Sequence, residues 1–226
     1  MTNIMLMTKT PPLKISPPFP FAPQHYLAPV MILVIALSAF FFELQLRPIF
    51  IYERELVAQG ELWRLFSATF LHTNASHFVM NGLALTLLWA LQGHTYTIKR
   101  YLIIFFGSAV FASIGIYLGS PELNQYVGLS GALHGIFIWS TLHEILAKDK
   151  TAYFLLIGGL TKIAYEQFIG AAPALSEVIQ AKVAIDAHLW GAIGGSVLFF
   201  AMLCFKQVTK RGASSLNDES DTPPKN

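Results

Sequence analysis

Residues 128–135 have the sequence Gly-Leu-Ser-Gly-Ala-Leu-His-Gly, and they open a long apolar run that follows a short polar loop. Ser130 is therefore predicted to lie in the first turn of a largely buried helix. Gly128 permits a sharp turn into this helix, and Gly131 leaves space beside the serine hydroxyl. The free backbone N–H groups of a first helical turn can hold a developing oxyanion. Ser130 is thus a candidate nucleophile, which needs a base from elsewhere in the chain.

The composition of the chain indicates a membrane protein with a single domain. Its 226 residues are 54% hydrophobic and only 12% charged, with a mean hydropathy of +0.53. A soluble domain usually carries about twice that charged fraction. The net charge is only +2 and no basic cluster is interleaved with aromatic residues, so nucleic acid is not expected as a partner. The single cysteine, Cys204, excludes an internal disulfide and is interpreted as a packing residue.

Six apolar runs have lengths close to the roughly 20 residues that a helix needs to span a bilayer. They are predicted at residues 26–46, 76–91, 98–118, 130–147, 152–168 and 183–205. The predicted fold is therefore an all-α membrane bundle of six transmembrane helices that covers residues 26–205. A proline-rich tail, residues 1–25, is predicted to be mobile, and a polar tail, residues 206–226, is predicted to be disordered.

Lysine and arginine are distributed unequally between the two sides of this six-helix arrangement. Ten lie in the two tails and in the links that follow the second and fourth spans, whereas four lie in the other links. Because these residues are enriched on the cytoplasmic side of membrane proteins, both termini are predicted to be cytoplasmic. Ser130 then lies at the outer end of the fourth helix.

Four polar residues from three predicted helices fall at the same depth near the outer side. His77 and Asn81 lie at the start of the second helix, Ser130 opens the fourth, and His188 lies near the start of the sixth. Polar groups at this depth are costly unless they face the bundle interior, so we expect a buried cavity reached by water. In this cavity His188 would be the general base for Ser130, while Asn81 and His77 would donate hydrogen bonds to an oxyanion.

The spacing of four glycines predicts which helices touch. Gly131 and Gly135 are four residues apart, and so are Gly191 and Gly195. Small residues at this spacing let two membrane helices approach closely. The predicted base shares the face of the second pair, so packing of the fourth helix on the sixth would bring it to the serine.

Other polar residues in the apolar runs have simple structural interpretations that compete with functional ones. Lys162 and Glu166 lie one helical turn apart, and an ion pair within the fifth helix is a simpler interpretation than a substrate gate. His134 lies one turn below the serine, where it could orient the base or only satisfy a neighbour. His72 is predicted to have a structural role, and Asp186 to lie at the interface or to cap the sixth helix.

These motifs resemble those of the rhomboid family of intramembrane serine proteases. The matching stretches are Trp63-Arg64, His72-x4-His77-x3-Asn81, Gly128-Leu-Ser130-Gly131 and Ala187-His188-x2-Gly191-x3-Gly195. The resemblance covers about residues 30–205, with the motifs in the expected order and on the expected helices. It implies a six-helix rhomboid-like bundle in which Ser130 and His188 form a catalytic dyad, and neither a cofactor nor a metal is expected.

A second, shorter set of matches resembles the rhombosortase subgroup. It consists of residues 128–135, Ala-Tyr-Glu-Gln at 164–167 and Asp-Ala-His-Leu at 186–189. Most bacterial rhomboids have an aromatic residue, usually tyrosine, where this chain has His134. The resemblance implies transmembrane substrates with a C-terminal sorting tail, which consists of a Gly-Gly motif, an apolar helix and basic residues. It also implies a multi-pass protein of a Gram-negative inner membrane, with its site open to the periplasm.

Three alternatives remain beside this interpretation. A general bacterial rhomboid protease would cleave other transmembrane substrates. A non-catalytic rhomboid-like protein would bind membrane clients, although such proteins typically lack the serine or the histidine. A metal or haem protein could use the histidines of several helices, but the serine and the asparagine would then have no role. The candidate ligands for that last alternative are His72, His77, His134 and His188.

Overall fold

The computed structural model describes residues 19–220, and residues 1–18 and 221–226 lie outside it. Within the described range the chain is mostly helical. In chain order the elements are α1 (Pro23–Phe41), α2 (Glu43–Phe50), β1 (Tyr52–Glu53), α3 (Arg54–Ala58), α4 (Arg64–Ser67), a 3₁₀ turn (Ala68–Phe70), α5 (Ala75–Gln92), a second 3₁₀ turn (Gly93–Thr95), α6 (Ile98–Gly119), β2 (Gln125–Tyr126), α7 (Ser130–Leu146), α8 (Thr151–Ile169), α9 (Pro173–Ile179) and α10 (Ile185–Ser220).

Six of these helices coincide with the six predicted apolar runs, namely α1, α5, α6, α7, α8 and α10. Three of them are long and apolar enough to cross a membrane, namely α1, α6 and residues Ile185–Thr209 of α10. These helices make the chain a membrane protein. Residues 43–46, predicted as the end of the first span, instead begin the separate helix α2, where Glu43 pairs with Arg47 at 2.8 Å.

Helices extend into both of the predicted tails. Most of the predicted mobile segment, residues 1–25, lies outside the described residues, but Pro23 already begins α1. Proline suits this position because the first residues of a helix need no intrahelical N–H bond. At the other end α10 continues to Ser220, so it includes residues 206–220 of the predicted polar tail. These residues contain no proline that would stop the helix.

The connection between α1 and α5 is tied to the segment that precedes α7. Strand β1 pairs antiparallel with β2, so that Tyr52 lies opposite Tyr126. Arg64 is only 3% exposed, and its guanidinium donates to the carbonyl groups of Ile51 at 2.7 Å and Pro48 at 2.8 Å. A buried guanidinium with these partners fixes the loop, because its donors would otherwise be unsatisfied. The segment that precedes α7 is therefore attached, through the pairing of β1 with β2, to a loop with a fixed conformation.

The centre of the protein is formed by α6, α7 and α10, and glycine lets their backbones meet. A Cβ atom on Gly191 would overlap the backbone of Gly131, and one on Gly195 would overlap the backbone of Gly135. The α7 and α10 helices therefore touch along the two glycine pairs, as small residues at this spacing allow. On the other side of α10, the ring of Trp190 fills the space above Gly115 of α6.

Candidate active site

Ser130 is the first residue of α7, and the loop before it has a conformation that requires glycine. Gly128 has a φ of +119°, which L residues with a side chain rarely adopt. Its amide donates to the carbonyl of Ala68 at 3.2 Å, and its own carbonyl accepts from the Tyr126 hydroxyl at 3.0 Å. These contacts hold the turn, so the serine hydroxyl has a defined position at the beginning of the helix.

The Ser130 hydroxyl lies beside the imidazole of His188, which is contributed by the first turn of α10. Ser130 Oγ is 3.0 Å from His188 Nε2. The histidine is only 5% exposed, so little water competes for this contact. The close approach of α7 and α10 at their glycine pairs brings the two side chains together. This geometry is the one that an activated serine requires.

A third polar group, the carboxylate of Glu166 on α8, contacts the other nitrogen of the same imidazole. Glu166 Oε2 is 2.8 Å from His188 Nδ1. The same oxygen is 2.8 Å from Lys162 Nζ, so the ion pair expected within this helix is present. The contact with His188 was not predicted. The sequence nevertheless contained an indication of a functional role for Glu166. A carboxylate within a membrane helix has a high free-energy cost, so such residues are usually functional.

The imidazole ring of His134 stacks on the ring of His188. The two ring centroids are 4.2 Å apart with an interplanar angle of 16°. His134 Nδ1 is 2.7 Å from the Ser130 carbonyl oxygen, and His134 Nε2 is 2.8 Å from Lys162 Nζ. His134 is therefore held at both ring nitrogens.

The side chains of His134, Glu166 and His188 are of types that bind metals, with ligand atoms within 4.8 Å of one another. The ammonium of Lys162 lies among them, at 2.8 Å from His134 Nε2 and from Glu166 Oε2, and at 3.2 Å from His188 Nδ1. A metal ion would have to displace this charge. We therefore interpret the cluster as a set of intramolecular contacts around the Lys162 ammonium.

Two polar side chains of α5, Asn81 and His77, lie next to Gly128 in the turn that precedes Ser130. A Cβ atom on Gly128 would be 2.8 Å from His77 Nε2 and 3.5 Å from Asn81 Nδ2, so both side chains face this turn. Asn81 is only 5% exposed, and among the described residues its Nδ2 has no hydrogen-bond acceptor. Buried donors are normally paired, so this amide is available to a group that enters the site.

A cavity of about 490 Å³ connects these groups. Ser130 and His188 border it, and its lining includes residues of α5, α8 and α9 together with the loops that precede α7 and α10. The hydroxyl of Thr73 donates to the carbonyl of Ile179 at 2.6 Å, which ties α9 to the start of α5. The cavity therefore lies next to the serine, and both α5 and α8 contribute to its lining.

Two further polar residues near the site, His72 and Asp186, contact neighbouring protein groups rather than Ser130 or His188. His72 is 1% exposed and packs edge-on against His77, with centroids 5.1 Å apart. Burial and the neighbouring His77 lower the pKa of His72 to about 3, so His72 is neutral at physiological pH. Asp186 accepts a hydrogen bond from the Ser120 hydroxyl at 2.6 Å, which joins the start of α10 to the end of α6.

Comparisons with known proteins show the family to which the chain belongs. A family model described as "Rhomboid domain" matches residues 59–205, which is more than half of the chain. The chain is 27% identical over 199 residues to "Putative rhomboid protease YdcA" of Bacillus subtilis (strain 168), an alignment that covers 82% of this chain and 93% of that protein. It is 29% identical over 149 residues to "Rhomboid protease GluP" of the same organism, where the alignment covers 66% of this chain and 27% of that protein.

Proposed function

Since the chain belongs to the rhomboid family and is an intramembrane serine protease, we propose that Ser130 and His188 form its catalytic dyad. The observation that carries this proposal is the 3.0 Å distance between Ser130 Oγ and His188 Nε2. A nucleophile and its base must lie within hydrogen-bond reach, and this pair does so inside a cavity that can admit a peptide.

In the proposed reaction, Ser130 Oγ attacks the carbonyl carbon of a substrate peptide bond while His188 Nε2 takes the hydroxyl proton. The negative charge that develops on the carbonyl oxygen is held by the Ser130 backbone N–H and by the unpaired Asn81 Nδ2, with His77 beside them. One such donor is worth roughly 3–4 kcal/mol of barrier. His188 then gives its proton to the leaving amine, and water hydrolyses the acyl-enzyme.

For the membrane arrangement we propose six spans with both termini in the cytoplasm. Support comes from the six long helices and from the excess of lysine and arginine in the tails and alternate links. In a Gram-negative inner membrane this places the serine end of α7 on the periplasmic side. Water would then reach the cavity from the periplasm.

For the substrate we propose exported proteins with a C-terminal Gly-Gly motif, an apolar helix and basic residues, as in rhombosortase substrates. Support comes from the stretches at residues 128–135, 164–167 and 186–189. The substrate helix would enter between α5 and α8, where the cavity is lined from both sides. Glycine favours cleavage because it destabilises the helix that shields the peptide bond.

A general rhomboid protease is the second candidate, because both relatives are named only as rhomboid proteases and neither name specifies a sorting tail. Such an enzyme would accept transmembrane segments without the Gly-Gly motif. A matched reporter in which the Gly-Gly pair is replaced by Ser-Ser separates the two candidates, because serine is also small and also favours a helix less than leucine does. Loss of cleavage supports the sorting protease, and equal cleavage of both reporters supports the general one.

The dyad is tested with purified protein in detergent and in vesicles. Ser130→Ala and His188→Ala are each expected to reduce reporter cleavage and fluorophosphonate labelling by at least about 1,000-fold. Ser196→Ala is the matched control, because the Ser196 hydroxyl only donates to the Ala192 carbonyl of its own helix, at 3.0 Å. Cleavage that survives Ser130→Ala would refute the dyad. Mass spectrometry of the new C-terminus identifies the bond that is cut.

A further inference from the structure

Glu166 is a buried carboxylate for which a two-residue mechanism has no role. It is 5% exposed, and its Oε2 accepts hydrogen bonds from two partners, His188 and Lys162, each at 2.8 Å. Burying a charge in a membrane protein is costly unless it is paired. The pairing with Lys162 accounts for its burial, but it does not account for the direction in which the carboxylate faces.

The contact with Glu166 determines which nitrogen of His188 carries the proton. An ionised carboxylate only accepts hydrogen bonds, so His188 Nδ1 must donate to it. His188 Nε2 then has a free lone pair, and this nitrogen lies 3.0 Å from Ser130 Oγ. The opposite tautomer would place a proton on Nε2 and could not deprotonate the serine. Glu166 therefore selects the form of the base that the reaction needs.

The other side of the carboxylate is held by a chain of contacts that returns to the serine. The Lys162 ammonium donates to Glu166 Oε2 and to His134 Nε2, each at 2.8 Å. His134 must then carry its proton on Nδ1, which donates to the Ser130 carbonyl at 2.7 Å. The side chains of His188, Glu166, Lys162 and His134 are thus joined in a ring of contacts that closes through Ser130, by its hydroxyl at His188 and by its backbone carbonyl at His134. Lys162 Nζ and His188 Nδ1 are only 3.2 Å apart because both donate to the same acceptor, Glu166 Oε2. This short distance is therefore not a hydrogen bond between them.

From this ring we infer that Glu166 is the positioning residue of a Ser130–His188–Glu166 triad, and that Lys162 and His134 hold its carboxylate in place. The inference rests on the proposed dyad and deepens it. When Ser130 Oγ bonds to the substrate carbon, its proton moves to His188 Nε2 and the carbonyl electron pair moves to oxygen. Glu166 stays ionised and faces the positive charge that forms on the imidazole. The Nε2 proton later passes to the amine as its C–N bond breaks.

The test compares Glu166→Gln with Glu166→Asp on the full-length protein. An amide is neutral and can present its NH2 group to His188, so Glu166→Gln is expected to lower kcat by at least about 100-fold with little change in KM. The rate of fluorophosphonate labelling is expected to fall in parallel, because it reports the serine without any peptide. Glu166→Asp keeps the charge on a shorter side chain and is expected to recover part of this loss.

Glu144→Gln is the matched control, because Glu144 is also a carboxylate on a long helix but contacts Gln92 rather than the site. Thermal unfolding in detergent shows whether each variant folds. If Glu166→Gln keeps a kcat within about threefold of the unchanged protein, the triad is wrong. It is also wrong if each variant loses activity only in proportion to the folded protein that it loses, as a purely structural role of the ion pair would require.

A measurement on the unchanged protein keeps the inference testable even if the variants do not fold. A histidine N–H that donates to a carboxylate gives a proton resonance far downfield, and we expect one that disappears in His188→Ala. Its absence from the unchanged protein would overturn the triad. The variants Ser130→Ala and His188→Ala, measured in parallel, separate this failure from failure of the dyad. If both are inactive while Glu166→Gln is fully active, the dyad stands and the triad alone fails.

Discussion

The α7–α10 pair and α8 all carry groups of the site, but they are held in different ways. Nine residues of α7 are buried, and its backbone meets that of α10 at the glycine pairs. Only three residues of α8 are buried, namely Ala152, Ile163 and Glu166. Several large apolar side chains of α8, such as Phe154 and Phe168, face outward.

The groups of the site are therefore held in place in two ways, by backbone packing and by side-chain hydrogen bonds. The serine and its base are placed by backbone packing, which leaves them little freedom to move apart. The carboxylate is placed by a helix with a thin packed face, and the ring of hydrogen bonds supplies much of what holds it. A helix packed in this way can shift at a lower cost, which suits the proposed entry of a substrate between α5 and α8.

The largest effect is expected when the tight interface is broken. A Cβ atom on Gly191 would meet the backbone of Gly131, which cannot turn aside as a side chain can. Gly191→Ala should therefore destabilise the fold by about 3 kcal/mol and lower cleavage by about 100-fold, because a displacement of about 1 Å is enough for that loss. Thermal unfolding and reporter cleavage measure the two effects. A fully stable and active Gly191→Ala protein would show that backbone contact does not fix the dyad.

An intermediate effect is expected at Gly159, where α8 meets α7. A Cβ atom on Gly159 would overlap the ring edge of Phe137, and a ring can rotate out of the way more readily than a backbone can. Gly159→Ala should cost no more than about 1 kcal/mol and leave most of the activity. If it proves as harmful as the change at Gly191, then α8 is held as rigidly as α10, and the contrast between the two regions is lost.

The smallest effect is expected at the neighbouring position, Gly158, which also lies on α8. No atom lies within 4 Å of a Cβ atom placed there. Alanine favours a helix more than glycine does, so Gly158→Ala should be neutral or stabilise the protein by up to about 1 kcal/mol. The same unfolding and cleavage assays apply, and this variant is the internal control for the other two. A marked loss of activity without a loss of stability would indicate that mobility of α8 itself is needed.

Much of the helical framework could be predicted from local pattern. The apolar runs predicted six long helices, and five of them begin within about two residues of the predicted positions. The ends were less predictable. The first run contains Glu43, and a pattern of hydropathy alone does not show that the chain bends at Phe42 to start another helix. At the C-terminus, polarity indicated a disordered tail, whereas α10 continues to Ser220, and its hydrogen bonds are local because they join residues four apart.

For the site, the sequence determined which residue types are available and at which end of each helix they lie. It also indicated the close approach of α7 and α10. Glycines four residues apart can be read from the sequence, and they allow the backbones of two helices to come into contact. It also indicated the ion pair of Lys162 with Glu166, because residues four apart share a helical face.

Only the tertiary structure decided that Glu166 reaches His188 and that Lys162 lies between two histidines. These contacts join α8 to α7 and α10, and they depend on how α8 is rotated about its own axis and how far it stands from its neighbours. Side-chain spacing along one helix carries no information on either quantity, because both are set by the packing of all the helices together.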